Sequence, residues 1–162
     1  MKAVFRVRSR LAALGAALAL LASPTVLLAA GDVSSSQPSV AERLTDARKA
    51  IDSGKWSAAS SELNVSLREE PRNADVHNLL GYYNRKKPQP DLAKAFEHYN
   101  TALKIDPKHK GAHEYLGEAY LMDKKPAEAE KLLASLETIC GNKTCEEYKD
   151  LAGAIAKYKA GK

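Results

Sequence analysis

A unit of about 34 residues recurs along this chain, and each copy reads as two helical patterns joined by a turn. Asn78-Leu79-Leu80-Gly81-Tyr82-Tyr83 opens one copy, Ala95 to Pro107 closes it, and Glu114-Tyr115-Leu116-Gly117-Glu118-Ala119-Tyr120 opens the next. Gly81 and Gly117 lie 36 residues apart, as do Pro71 and Pro107. A fixed period of this length predicts stacked helical hairpins, each burying its apolar face against its neighbours. It argues against an enzyme built around one central pocket and points to a function of holding other molecules.

Each copy has a physical reading. In the middle unit Val76, Leu79, Leu80 and Tyr83 recur at helical spacing and give the first helix one apolar stripe. Gly81 sits in that helix although it costs about 1 kcal/mol relative to Ala there. A close approach by a neighbouring helix explains it best. The second helix is expected from Asp91 to Ile105, with small Ala95 and Ala102 beside Leu92, Phe96, Tyr99 and Leu103. Asp106-Pro107 ends it, because the residue before proline is pushed out of the α region. The third unit repeats the logic: Tyr115, Leu116, Ala119 and Tyr120 form a buried stripe, Gly117 a close contact, and Pro126 opens the next helix. The first unit is sparser, with Leu44, Ala47 and Ile51 before a turn at Asp52-Ser53-Gly54-Lys55-Trp56, as suits a terminal repeat with one face in water. After the third unit, Thr144 and Glu147 form a capping-box pattern. Tyr148, Leu151, Ala152, Ile155 and Tyr158 then line one face of an amphipathic helix that would close the open end of the stack. No alternating β-branched pattern is present, so no strand is expected.

The start of the chain is a separate message. Lys2, Arg6, Arg8 and Arg10 precede an apolar run over 11–30 that ends in Leu28-Ala29-Ala30. This is the layout of a secretory signal peptide, residues 1–30, cleaved near Ala30. Retained, the same run is long enough to anchor the chain in an inner membrane. Periplasmic or secreted location is the expectation, and membrane contact follows only if the segment stays. Residues 31–39, Ser-rich with Gln37 and Pro38, read as a flexible leader. The formal net charge is +5, but four of the 25 basic residues fall within 1–30, which leaves the rest near +1. No nucleic-acid partner is expected, because that needs a concentrated basic face. The run Arg85-Lys86-Lys87 reads as a solvated inter-helix turn.

Cys140 and Cys145 are the only cysteines. In an exported chain, two so close in sequence point to a disulfide, here stapling the third unit to the last helix. Their four-residue spacing is not the two-residue spacing of thiol oxidoreductases. His109 and His113, four apart, would share a helix face, yet no acid or cysteine completes a zinc set. The expectation is a packed His113, an exposed His109 and no metal. The sequence has no Gly-rich phosphate loop and no Gly-x-Ser-x-Gly, so no catalytic residue and no cofactor are expected.

The repeated residues resemble the tetratricopeptide repeat (TPR) family, and exported bacterial members in particular. That pattern has Leu-Gly in the first helix, a Gly-aromatic turn, spaced alanines in the second helix and a closing proline. Leu80-Gly81, Ala95, Tyr99, Ala102 and Pro107 match it, as do Leu116-Gly117, Tyr120 and Ala129, and Gly54, Trp56, Ala59 and Pro71. The resemblance covers about 40–139, in units at about 40–73, 74–109 and 110–139, with 140–162 as the capping helix. Two departures stand out. Lys86-Lys87-Pro88-Gln89-Pro90 lengthens the middle turn by two residues, as in Sel1-like repeats, and leaves room for that hairpin to splay. His77 and His113 replace the expected aromatic.

The resemblance implies an all-α, right-handed TPR-like solenoid of three hairpins plus a C-terminal capping helix. It implies a non-catalytic adaptor or scaffold in the cell envelope that binds another protein or a peptide in the groove lined by its first helices. Carried onto this chain, the groove positions are Arg48, Ile51, Asp52, Asn78, Tyr82, Arg85, Lys86, Glu114, Glu118, Leu121 and Met122. In that role Asn78 would clamp a ligand backbone, Arg85 would pair with a carboxylate, and Leu121 and Met122 would give an adaptable apolar contact. The rival reading is a redox or metal-handling accessory protein using the cysteine pair.

Overall fold

The computed structural model describes residues 37–161; the segment 1–30 and most of the leader lie outside the described residues. Seven helices occupy the described part: α1 Val40–Asp52, α2 Trp56–Glu69, α3 Ala74–Lys86, α4 Leu92–Ile105, α5 Lys110–Met122, α6 Pro126–Cys140 and α7 Glu146–Ala160. No strand occurs among the described residues. The helices pair as α1/α2, α3/α4 and α5/α6, and the odd helices also adjoin one another in the series α1, α3, α5, α7. This is the expected all-α solenoid closed by a last helix. Among the described residues no helix is long and apolar enough to cross a membrane.

Local chemistry sets where several of the helices begin. Ser39 and Glu42 form a reciprocal capping box at α1, so the end of the expected leader is tied down rather than slack. The Asn73 side chain accepts from the backbone of Asp75 and Val76, and Asp91 does the same for Lys94. Each cap satisfies orphan amide donors and is worth about 1 kcal/mol. The capping box expected at Thr144 does not form. The Thr144 hydroxyl and amide both donate to the Asn142 carbonyl oxygen of the side chain, at 2.7 and 2.8 Å, and Cys145 takes the cap position without a side-chain bond. Asn142 competes for Thr144 because its side chain reaches a backbone donor two residues on.

Two helix ends share one geometry. After α1, Gly54 has φ 68°, its amide donates to Ile51 O at 3.0 Å, and Lys55 N–H donates to Ala50 O at 2.7 Å. After α5, Lys124 has φ 58°, its amide donates to Leu121 O at 3.1 Å, and Lys125 N–H donates to Tyr120 O at 2.8 Å. Both are left-handed C-terminal caps of the kind that favour glycine. Lys124 is the only non-glycine residue at positive φ among the described residues, and an L side chain there costs about 1 kcal/mol or slightly more.

The core runs along the stack as linked clusters. Ala47, Ile51, Ala59, Leu63, Val76 and Leu80 join α1, α2 and α3. Ala95, Tyr99, Leu116 and Ala119 join α4 to α5, and Leu121, Ala129, Leu136, Leu151 and Ile155 join α5, α6 and α7. The glycines mark the tightest crossings, as expected. A Cβ on Gly81 would lie 2.5 Å from Cε1 of Tyr99, and one on Gly117 would lie 2.6 Å from Cδ1 of Leu151. The middle hairpin does not splay. Besides the Gly81–Tyr99 contact, the Asp91 amide donates to Asn84 O at 2.9 Å and holds the long turn shut.

The histidines act as clips between repeats. His77 and His113 each donate from Nε2 to the carbonyl of the preceding closing proline, Pro71 and Pro107, at 3.0 Å. That leaves His77 Nδ1 to accept from His98 Nδ1–H at 3.2 Å, while the buried Nδ1 of His113 has no partner. His113 is packed as expected. His109 is not exposed and not on the helix: it caps α5, accepting from Ala112 N–H, and its Nε2 donates to Asp75 Oδ1 at 3.0 Å. Both its nitrogens are engaged, which removes the shared metal face with His113.

Gly81→Ala and Gly117→Ala should separate by what they strike. Tyr99 is a fully buried ring that cannot swing aside, whereas the Leu151 methyls can rotate. Overpacking of about 2–3 kcal/mol is expected at Gly81, less the gain in helix propensity, and a smaller loss at Gly117. Urea unfolding of the two variants checks the order.

Candidate functional site

The repeat register, 34 residues from α1 to α3 and 36 from α3 to α5, carries polar and aromatic positions onto the face where these helices meet. Arg48 from α1 lies with its guanidinium carbon 4.0 Å over the ring of Tyr82 and 5.4 Å over that of Tyr115. The two rings are 5.0 Å apart at 49°. Arg85 approaches the same rings from the other side, at 5.4 and 5.6 Å. Guanidinium–aromatic contacts of this kind contribute about 0.5–1 kcal/mol when exposed and more when desolvated. Arg48 also reaches the Tyr115 hydroxyl at 3.5 Å, and no carboxylate pairs with it among the described residues.

Arg85 is different. It is only 7% exposed, pairs through Nη2 with Glu118 Oε2 at 2.5 Å, and donates from Nε to the Tyr99 hydroxyl at 3.3 Å. The expected solvated turn therefore holds for Lys86, which is exposed with its ammonium 5.9 Å above Tyr82, but not for Arg85. Nor is Arg85 free to take a ligand's carboxylate, since Glu118 already occupies it. Removing one partner of a buried pair leaves an uncompensated charge, a loss of about 3–5 kcal/mol.

The remaining expected groove residues divide. Ile51 is 3% exposed and packs in the core between α1 and α3, so it is a packing residue and not a groove contact. The family resemblance placed it in the groove, but the apolar stripe it forms with Leu44 and Ala47 holds it inside. Asp52 is exposed at the end of α1. Asn78 is 8% exposed, and its Oδ1 is buried with no hydrogen-bond partner. It and Arg48 border the same shallow depression beside α1. Glu114 is buried next to Arg85 and Glu118. Burial first, and then the nearby carboxylates of Glu118, Asp150 and Glu147, push it up to about 8, against the pull of Arg85. Leu121 and Met122 border a cavity between α5 and α7 that Arg85 and Glu118 also line. Tyr115 packs against the α4–α5 cluster as its place in the apolar stripe implies, and its ring also reaches this face. The register aligns it with Leu79, and only its hydroxyl hinted that one end would reach solvent.

Cys140 and Cys145 have Cα atoms 6.3 Å apart and adjacent sulfurs at the junction of α6 and α7, with a Glu147 oxygen within 4.8 Å of both.

Two family models, each described as tetratricopeptide repeat, match the chain, one over residues 44–110 and the other over 89–155. The chain belongs to the tetratricopeptide repeat family. Proteins built from these repeats generally bind other proteins or peptides and act as scaffolds rather than catalysts. A comparison with curated proteins returned no match.

The raised Glu114 has a defined pH signature. Between its ordinary value near 4.5 and about 8 the folded chain keeps a proton that the unfolded chain releases, so its contribution to stability falls as pH rises through that window. Glu114→Gln should therefore be more stable than the native chain at pH 9 and nearly equal to it at pH 4.5. Thermal midpoints of both proteins across this range check it, since their difference isolates the one residue.

Proposed function

We propose that this chain is a non-catalytic adaptor of the cell envelope that holds a partner protein or peptide on the face formed by α1, α3 and α5. The observation that carries this reading is Arg48. Its guanidinium is half-buried, oriented by two tyrosine rings and unpaired with any acid among the described residues. An arginine held in place by aromatic faces has lost little further entropy when a carboxylate arrives, so it is prepared to bind one. Tyr82 and Tyr115 add area that an apolar or planar group can cover. Asp52 and Lys86 form the exposed rim, while Glu118, Arg85 and Glu114 set the charge beneath it.

Export rests on the basic and apolar layout of residues 1–30, and on a cysteine pair suited to an oxidising compartment. In this reading Cys140 and Cys145 form a structural disulfide that ties α6 to α7. Its short loop stabilises by less than the roughly 3 kcal/mol expected for a longer one. The accessory-metal reading has one observation behind it, Glu147 beside both sulfurs, and it requires them as free thiolates. Thiol titration of the denatured, unreduced protein separates the two: no reactive thiol is expected, and two would favour the metal. The mass of the protein from its native source should correspond to cleavage near Ala30; an intact 1–30 would make it membrane-anchored.

The test of the adaptor reading is affinity capture from envelope extract with the native chain and with Arg48→Glu as baits, compared by mass spectrometry. A partner held by the native chain and lost by the still-helical variant is expected. Equal capture by both would place the binding surface elsewhere.

A further inference from the structure

Next to the Arg48 face, and sharing Arg85 and Glu118 with it, lies a second concave feature. Between the C-terminal halves of α5 and α7 a cavity of about 790 Å³ is floored by Leu121, Met122, Ala154 and Tyr158. Met122 is 46% exposed, the most exposed large apolar side chain of the described residues. Lys124 and Lys157 stand at the rim.

The charges there are arranged unequally. Lys125, next to Lys124, pairs with Asp123 at 2.7 Å, and Lys159, two residues from Lys157, pairs with Glu130 at 2.6 Å. Lys124 and Lys157 have no acidic partner among the described residues, and the one carboxylate bordering the cavity, Glu118, is taken by Arg85. The C-terminal ends of α5 and α7 bring about half a negative charge each, which the two lysines exceed. The rim is therefore net positive over an apolar floor.

Lys124 adds an independent observation. At the matching cap after α1 the chain uses Gly54, whereas here it keeps a lysine in the left-handed conformation. Strain held at one position where a glycine serves the same turn elsewhere is characteristic of a residue kept for its side chain.

We propose that this cavity receives a large apolar side chain of a partner protein whose neighbouring residues are Asp or Glu, with Lys124 and Lys157 pairing with those carboxylates. The inference rests on the adaptor reading and specifies the partner at the α5–α7 end of that face; Arg48 does not line the cavity, so the two can fail separately. Charge complementarity and the exposed methionine choose this occupant: a purely apolar segment would leave the lysines unused, and a basic one would be repelled.

The chain contains only Met1 and Met122, so a ¹³C-methyl methionine label reports on the cavity directly. The full chain is titrated with the peptide Gly-Asp-Leu-Glu-Gly, with its Asn/Gln counterpart, with a version carrying Ala in place of Leu, and with dodecanoate below its micelle concentration. A saturable shift of the Met122 methyl is expected with the acidic peptide alone among the peptides. Lys124→Gly should weaken it about five-fold while its melting midpoint stays equal or rises, because the strain is relieved. Lys157→Gln should weaken it by a similar factor. Arg48→Glu should leave the shift unchanged, so loss of partner capture by that variant and loss of this shift are distinct results. No Met122 shift at millimolar peptide, an equal shift with the Asn/Gln peptide, or undiminished binding by Lys124→Gly would overturn the proposal. So would a shift with dodecanoate alone, or a Met122 signal that responds only to protein concentration and thereby identifies a second copy as the occupant.

Discussion

The contact between Gly81 and Tyr99 governs more of this molecule than any other. The ring lies where a side chain on α3 would be, which brings α3 and α4 together and keeps the hairpin closed despite its long turn. Its hydroxyl then accepts from Arg85, and Arg85 in turn pairs with Glu118 on α5. One buried aromatic thus links the packing of the middle hairpin to the polar face it presents. Burial raises the Tyr99 phenol above its ordinary value, so it remains a neutral partner for the guanidinium. With Arg85 so held, Tyr82 and Tyr115 are fixed between two guanidinium groups, and Arg48 is left as the cation facing outward.

Along the stack the same register positions change chemistry. Tyr82 in the middle unit becomes Glu118 in the third, Asn78 becomes Glu114, Arg85 becomes Leu121 and Lys86 becomes Met122. The face therefore runs from cationic and aromatic near α1 and α3, through a carboxylate pair on α5, to an apolar cavity with lysines near α7. A solenoid permits this because each unit depends mainly on its neighbours, so surface positions can diverge while the buried positions stay small, as at Ala47, Gly81 and Gly117. A partner lying along the face would meet three environments in succession. Glu114 is the midpoint, and its protonation makes the middle of the face less negative at neutral pH than the sequence implies.

Much of the backbone was legible in advance because it depends on spacing. The helix starts at Pro126 and after Asp91, the ends before Pro71 and Pro107, and the crossings at Gly81 and Gly117 follow from short-range rules that act within one or two turns. The misreadings involve competition between partners. Thr144 matched a capping pattern, but Asn142 took its hydrogen bonds. His109 looked like a helix residue, but its imidazole is spent on the end of α5 and on Asp75, 34 residues away. Arg85 looked like part of a solvated basic run, yet partners on α4 and α5 drew it inside.

The sequence by itself determined the all-α repeat, its hairpin pairing, its capping helix and the positions able to face outward, because helix periodicity, glycine, alanine and proline act locally. Only the tertiary structure decided which of those positions are available. Arg85 and Glu118 neutralise each other, Glu114 is pushed up by burial, and Tyr115 reaches Arg48. Availability depends on which charges and rings meet across helices distant in sequence, and on how much water remains around them. Neither quantity is encoded in spacing along the chain.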